Sequence, residues 1–135
     1  NPSKKMSKSG DEGIALTDEP DVVREKIKKA VTDSGKEIIF DEKEKPALSN
    51  LLTIYHLLSG QEIGSIEKDY EGKSYSEFKN DLGEVIVEFL KPFQAKHREL
   101  SNNLDQVEAI LKKSEEKART LASDTLTEVR KKIGV

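Results

Sequence analysis

Eight apolar residues between positions 75 and 93 recur at the spacing of an α-helix. Tyr75, Phe78, Leu82, Val85, Ile86, Phe89, Leu90 and Phe93 follow one another at steps of three, four and one, so they fall on one helical face. Ser74 and Glu77 stand at the entry as a capping box, each able to satisfy the other's backbone amide. Pro92 lies inside the pattern. It removes a backbone donor and crowds the carbonyl of Glu88, which predicts a bend at that point. In a chain that is 36% charged, 34% hydrophobic and 5% aromatic, such faces supply a helical core, but a thin one.

The same period recurs elsewhere. Asp18 predicts an N-cap, with Glu19, Pro20 and Asp21 in the first turn and Val23, Ile27, Ala30 and Val31 on one face, closing at Ser34 and Gly35. Pro46 opens a helix whose Leu48, Leu51, Leu52, Ile54, Tyr55, Leu57 and Leu58 cover most of its circumference, which predicts a buried central helix ending at Gly60. A short helix is predicted over 62–70, and two more over 104–111 and 115–133. Ile38, Ile39 and Phe40 interrupt a charged decade and read as a plug on the core, a short strand or a hydrophobic staple. The fold class is therefore all-α, a bundle of about six helices preceded by a loop. The strand succession of a nucleotide-binding α/β domain is missing.

The totals set further limits. With 23 basic and 26 acidic residues the net charge is −3, which argues against a general nucleic-acid coat but leaves room for a local basic face. Cysteine is absent, so disulfides and thiolate metal sites are excluded and no metal site is expected. No apolar run approaches the roughly 18 residues of a membrane span and no signal peptide is visible, so no membrane partner is expected and the cytoplasm is the default. The only methionine is Met6 and the chain opens Asn1-Pro2-Ser3, which reads as a fragment of a longer protein.

The chemistry is concentrated in residues 5–9, Lys-Met-Ser-Lys-Ser. Two lysines three apart give two mobile ammonium groups on one short loop. Ser7, Ser9 and Gly10 leave backbone amides open to an anion. Such a loop can hold a polyphosphate and follow the charge that develops as pyrophosphate departs. Lysine suits this as a flexible point charge. On charge alone the same residues also read as a basic surface loop.

The string KMSKS is the signature loop of the class I aminoacyl-tRNA synthetases. Its chance occurrence in so short a chain is about one in tens of thousands at equal residue frequencies. It is followed by IALTDEPDVVREKIKKAVTDS, ALSNLLTIYHLLSG, YSEFKNDLGEVIVEFLKP and KARTLASDTLTEVRKKIG. In that order and spacing, essentially the whole chain resembles the C-terminal portion of the bacterial tryptophanyl-tRNA synthetases. One departure is Gly10, where many relatives carry an acidic or amide residue.

The resemblance implies a C-terminal part of a Rossmann-type class I synthetase whose α/β domain is absent here. Residues 1–17 would be the KMSKS loop and connector, and 18–135 the helical, anticodon-binding domain. The intact enzyme, a tryptophan–tRNA ligase and a homodimer, would activate tryptophan with ATP and Mg²⁺ and transfer it to tRNA(Trp); this fragment alone would be inactive. Lys5 and Lys8 would be the catalytic residues, and Lys5, Met6, Ser7, Lys8 and Ser9 the ATP-binding set. Neither histidine is given a catalytic role: His56 reads as a satisfied core or boundary residue of an apolar helix and His97 as solvated. A basic end supplies candidate tRNA contacts. Residues 112–135 hold seven basic and four acidic residues, against three and eight over 62–90. Lys112, Lys113, Lys117 and Arg119 would meet the anticodon arm's phosphates at a helix–helix junction, although cations in a last helical turn also complement the helix dipole. The reading from another class is a non-catalytic helical RNA-binding or structural module with an inert KMSKS loop.

Overall fold

In the computed structural model, which describes residues 13–134, the chain forms five helices with no strand among the described residues. They are α1 (Pro20–Lys29), α2 (Pro46–Ser59), α3 (Ile63–Asp69), α4 (Tyr75–Ser101) and α5 (Leu104–Ile133). No helix is long and apolar enough to cross a membrane. The chain divides into two units, Asn1–Gln94 and Ala95–Val135.

The first unit holds the core. Val23 and Ile27 of α1, Leu48, Leu51 and Leu52 of α2, Ile66 of α3, and Phe78, Leu82, Ile86, Val87 and Leu90 of α4 are buried together with Ile38 and Tyr70. Burying each of the larger apolar side chains contributes about 1.5–3 kcal/mol. Three rings meet at the centre. Phe78 stacks on Tyr55 at 5.9 Å and meets Tyr70 edge-on at 5.2 Å. The Tyr70 hydroxyl donates to Asp81 Oδ2 at 2.7 Å, and burial pushes its pKa well up, with Tyr55 and Asp81 adding to the effect. Arg24 of α1 ties to Glu84 of α4 as a two-pronged fork, Nε to Oε1 at 2.6 Å and Nη2 to Oε2 at 2.9 Å.

Several expectations shift. The first helix has Glu19, not Asp18, at its N-cap, and it ends at Lys29 rather than at Ser34 and Gly35. Tertiary hydrogen bonds draw the chain out early. Lys79 Nζ donates to the Ala30 carbonyl at 2.6 Å and the Tyr75 hydroxyl to Asp33 Oδ1 at 2.8 Å, so 30–33 leaves the helix to meet α4. The α2 helix is buried on one side only, because Leu57 is 70% exposed. The plug at 38–40 forms neither helix nor strand: Ile38 enters the core, Phe40 packs at its edge and Ile39 faces solvent. The long helix continues through Pro92 to Ser101, as the pattern on both sides of the proline implies, but its Phe89 and Phe93, expected on the buried face, are exposed, with rings 5.4 Å apart.

The second unit comprises the end of α4 and all of α5. The two helices expected over 104–111 and 115–133 are one continuous helix of 30 residues, which makes five helices rather than six. The stretch between them, Lys112-Lys113-Ser114, contains neither glycine nor proline and has nothing to break a helix. No side chain of α5 is buried.

Candidate functional site: the loop stem and the basic helix

Lys5, Met6, Ser7, Lys8 and Ser9 lie outside the described residues. The geometry begins at Gly13, where the chain leaves the KMSKS segment, and the stem at 13–18 is tied down at both ends. At one end the Lys26 ammonium donates to the Gly13 carbonyl at 2.7 Å. At the other it donates to Asp18 Oδ2 at 2.7 Å. The same carboxylate oxygen accepts the Ala15 amide at 2.9 Å, while the Asp18 amide donates back to the Ala15 carbonyl at 3.0 Å. Gln94 of α4 reaches the Asp18 carbonyl at 2.9 Å. The Lys26 hydrogen bond holds the Asp18 carboxyl below the usual carboxylate range, with burial opposing it and the Ala15 amide assisting. This explains why Asp18 is not the helix cap. Its side chain is turned back onto the stem, and α1 opens instead on Glu19 and Pro20.

A second polar node supports the chain between α1 and α2. Asp33 Oδ1 accepts the Tyr75 hydroxyl at 2.8 Å and the Gly35 amide at 2.6 Å, and Lys45 Nζ stands 3.9 Å away. Lys45 also donates to the Glu37 carbonyl at 2.6 Å. Gly35 lies close against this carboxylate: a Cβ there would sit 2.6 Å from Asp33 Oδ1, so the carboxylate would have to shift. Burial works against the Asp33 charge, but the Tyr75 hydroxyl and the Gly35 amide outweigh it and its pKa falls. Beside the node lies an open groove of about 1170 Å³, bounded by 35–39, α3 and the start of α4. Lys36, Lys68 and Lys73 line it together with Glu37, Glu67 and Glu71, so its charge is mixed. Sequence reasoning found neither the node nor the groove. Their parts lie up to 42 positions apart and carry no motif.

The candidate tRNA contacts Lys112, Lys113, Lys117 and Arg119 are all exposed and all lie inside α5. No helix–helix junction exists there. On an unbroken helix, at about 100° per residue, Lys113 and Lys117 share one side and Lys112 and Arg119 another, about 100–160° away. Glu116 falls between the two pairs, and Glu115 accepts the Arg119 guanidinium at 2.5 Å. The structure therefore brings these cations together as two pairs rather than one cluster.

His56 is half-buried, with Nδ1 2.8 Å from the Gln61 carbonyl, as a boundary residue would be. His97 is exposed.

The comparisons with known proteins bear on the whole chain. Residues 1–91 match the family of class I tRNA synthetases (W and Y). The chain is 45% identical to the tryptophan–tRNA ligase of Bacillus anthracis and 44% identical to that of Helicobacter pylori, covering 99% of itself and 41% of each relative. It therefore spans about two fifths of the length of these relatives. A crystal structure of tryptophanyl-tRNA synthetase from Mycoplasma pneumoniae superposes with a TM-score of 0.65 at 35% identity, covering 73% of this chain and 33% of that one.

Proposed function

This chain belongs to the class I tRNA synthetases (W and Y), and from that premise we propose that it is the C-terminal part of a tryptophan–tRNA ligase. The observation that carries the reading is the KMSKS string at 5–9, in a chain similar along nearly its whole length to tryptophan–tRNA ligases. The intact protein activates tryptophan with ATP, whose Mg²⁺ travels with the nucleotide, and transfers it to tRNA(Trp) in the cytoplasm as a homodimer.

Within that reaction Lys5 and Lys8 neutralise the phosphates, and Lys8 follows the charge that grows on pyrophosphate as the tryptophan carboxylate attacks the α-phosphorus. Met6, Ser7 and Ser9 shape the loop through backbone and hydroxyl contacts. Residues 1–17 form the loop and its connector, and 18–135 the helical body that receives the anticodon arm. This part alone makes no tryptophanyl-adenylate, because the pockets for adenine and tryptophan belong to the rest of the enzyme.

The test is tryptophan-dependent ATP–pyrophosphate exchange by the intact protein and its Lys8→Ala variant. The variant loses roughly 100-fold to 1000-fold in turnover, with the KM for tryptophan little changed, because the ammonium acts on the transition state. An unaltered turnover, or a defect confined to tryptophan binding, would make the string an inert loop on a helical RNA-binding or structural module.

A further inference from the structure

We infer that Lys26, bridged to Asp18, is a positioning residue for this reaction: it fixes the stem through which the KMSKS segment joins the helical body. The inference rests on the reading of residues 5–9 just given.

Only three residues lie between Ser9 and Gly13. The stem that follows has no regular secondary structure, so helix or sheet hydrogen bonds do not hold it in place. Side chains do this instead. The Lys26 ammonium spends one donor on the Gly13 carbonyl and another on Asp18 Oδ2, each at 2.7 Å, and so spans the stem from first residue to last. Asp18 closes the turn on the Ala15 amide, and Gln94 holds the Asp18 carbonyl from α4. Ile14 packs at the edge of the core.

Two features separate this bridge from ordinary surface pairing. It is sheltered, with the two side chains 26% and 17% exposed, whereas Arg24 and Glu84 are 43% and 54% exposed. It also engages a backbone carbonyl at the first residue of a stem that no helix or sheet holds. An exposed pair adds little to stability. A pair that also grips a main-chain oxygen sets where a segment lies. Misplacing a catalytic group by about 1 Å can cost on the order of 100-fold in rate, so a short tether ending in this bridge is well placed to control the lysines upstream.

The experiment uses the intact protein and four forms of it: wild type, Lys26→Met, Lys8→Ala and the double variant. Methionine keeps much of the apolar stem and removes the ammonium. Pyrophosphate exchange by Lys26→Met falls between about 10-fold and 100-fold in kcat, tryptophan KM stays unchanged, and Lys26→Arg restores most of the rate. In the Lys8→Ala background the Lys26→Met change adds little, because both act through one loop and the effects are not additive. Independently of activity, Lys26→Met speeds hydrogen exchange at the Ala15 amide.

Full multiplication of the two defects, or wild-type exchange by Lys26→Met beside a crippled Lys8→Ala, overturns the positioning role. An unchanged Ala15 amide overturns the bridge itself. A wild type with no tryptophan-dependent exchange, or a Lys8→Ala variant as fast as wild type, is instead the failure of the reading of the loop, and the catalytic part of the inference falls with it.

Discussion

Ser74 and Glu77 close the start of α4 on each other. The Ser74 amide donates to Glu77 Oε2 at 2.9 Å, the Glu77 amide to Ser74 Oγ at 3.3 Å, and the Ser74 hydroxyl to the same carboxylate oxygen at 2.8 Å. Two backbone donors that a helix start leaves without partners are thus satisfied by one pair of side chains. Removing the hydroxyl leaves one of them to water. Ser74→Ala should lower stability by about 1 kcal/mol, read as a lower urea midpoint with an unchanged slope. An unmoved midpoint would show that core packing alone sets where α4 begins.

Acid should loosen the same two places that carboxylates hold. The Ser74 amide, then its hydroxyl, keep Glu77 below its ordinary value of 4.5. Lys26 does the same for Asp18, whose ordinary value is 3.8. A carboxyl whose pKa is lower folded than unfolded takes up fewer protons in the folded state. Its contribution is complete above the unfolded value and fades as the pH falls through the folded one. The difference in melting temperature between wild type and Glu77→Gln should therefore be largest near neutral pH and shrink below about pH 4. Asp18→Asn should behave likewise. A difference that grows on acidification would contradict both assignments.

Phe78 and Phe93 lie on what the sequence presents as one apolar stripe, yet they should respond oppositely to truncation. Phe78 is fully buried and packed between Tyr55 and Tyr70. Phe78→Ala should cost about 3–5 kcal/mol, because the rings around it cannot collapse into the space. Phe93 is 46% exposed, and Phe93→Ala should change stability by no more than about 0.5 kcal/mol. Denaturant unfolding of the two variants side by side decides this.

These cases show what the sequence makes legible. Period and local chemistry carry far: the capping box at Ser74, Pro46 opening α2, and Gly60 ending it with a φ of 73° were all readable. The loop string and the order of helices around it pointed to the family. What stayed hidden is set by distant partners. Periodicity extends the first helix toward Gly35, but Lys79 and Tyr75 pull 30–33 out of it from 49 and 42 positions away. The stripe on α4 predicts burial of Phe89 and Phe93, yet both are exposed although Leu90 between them is buried. Pattern marks a face that can be buried, while burial depends on whether another element covers it. Asp18 is the sharpest case. Its residue type and position suit an N-cap, and its side chain serves the stem because Lys26 lies two turns later on the same side of the chain.

The unbroken α5 changes what the basic residues of the second unit should do. Phosphate contacts position a nucleic acid without reading its bases, and each one lost should lower the steepness of the salt dependence by about 1. Lys113 and Lys117 project from one side of the helix and Lys112 and Arg119 from another, with Glu116 between them. One RNA backbone following a straight helix would meet one pair and not the other. Arg119 is already engaged by Glu115, so Lys113 and Lys117 are the better pair. In the intact protein, Lys113→Ala with Lys117→Ala should raise the KM for tRNA and flatten its logarithmic salt slope by about 2, while pyrophosphate exchange stays normal. Lys112→Ala with Arg119→Ala should do much less. Equal effects from the two pairs would mean that the RNA wraps the helix. No effect from either would make these lysines solvated surface, and the anticodon arm would then be held by the first unit.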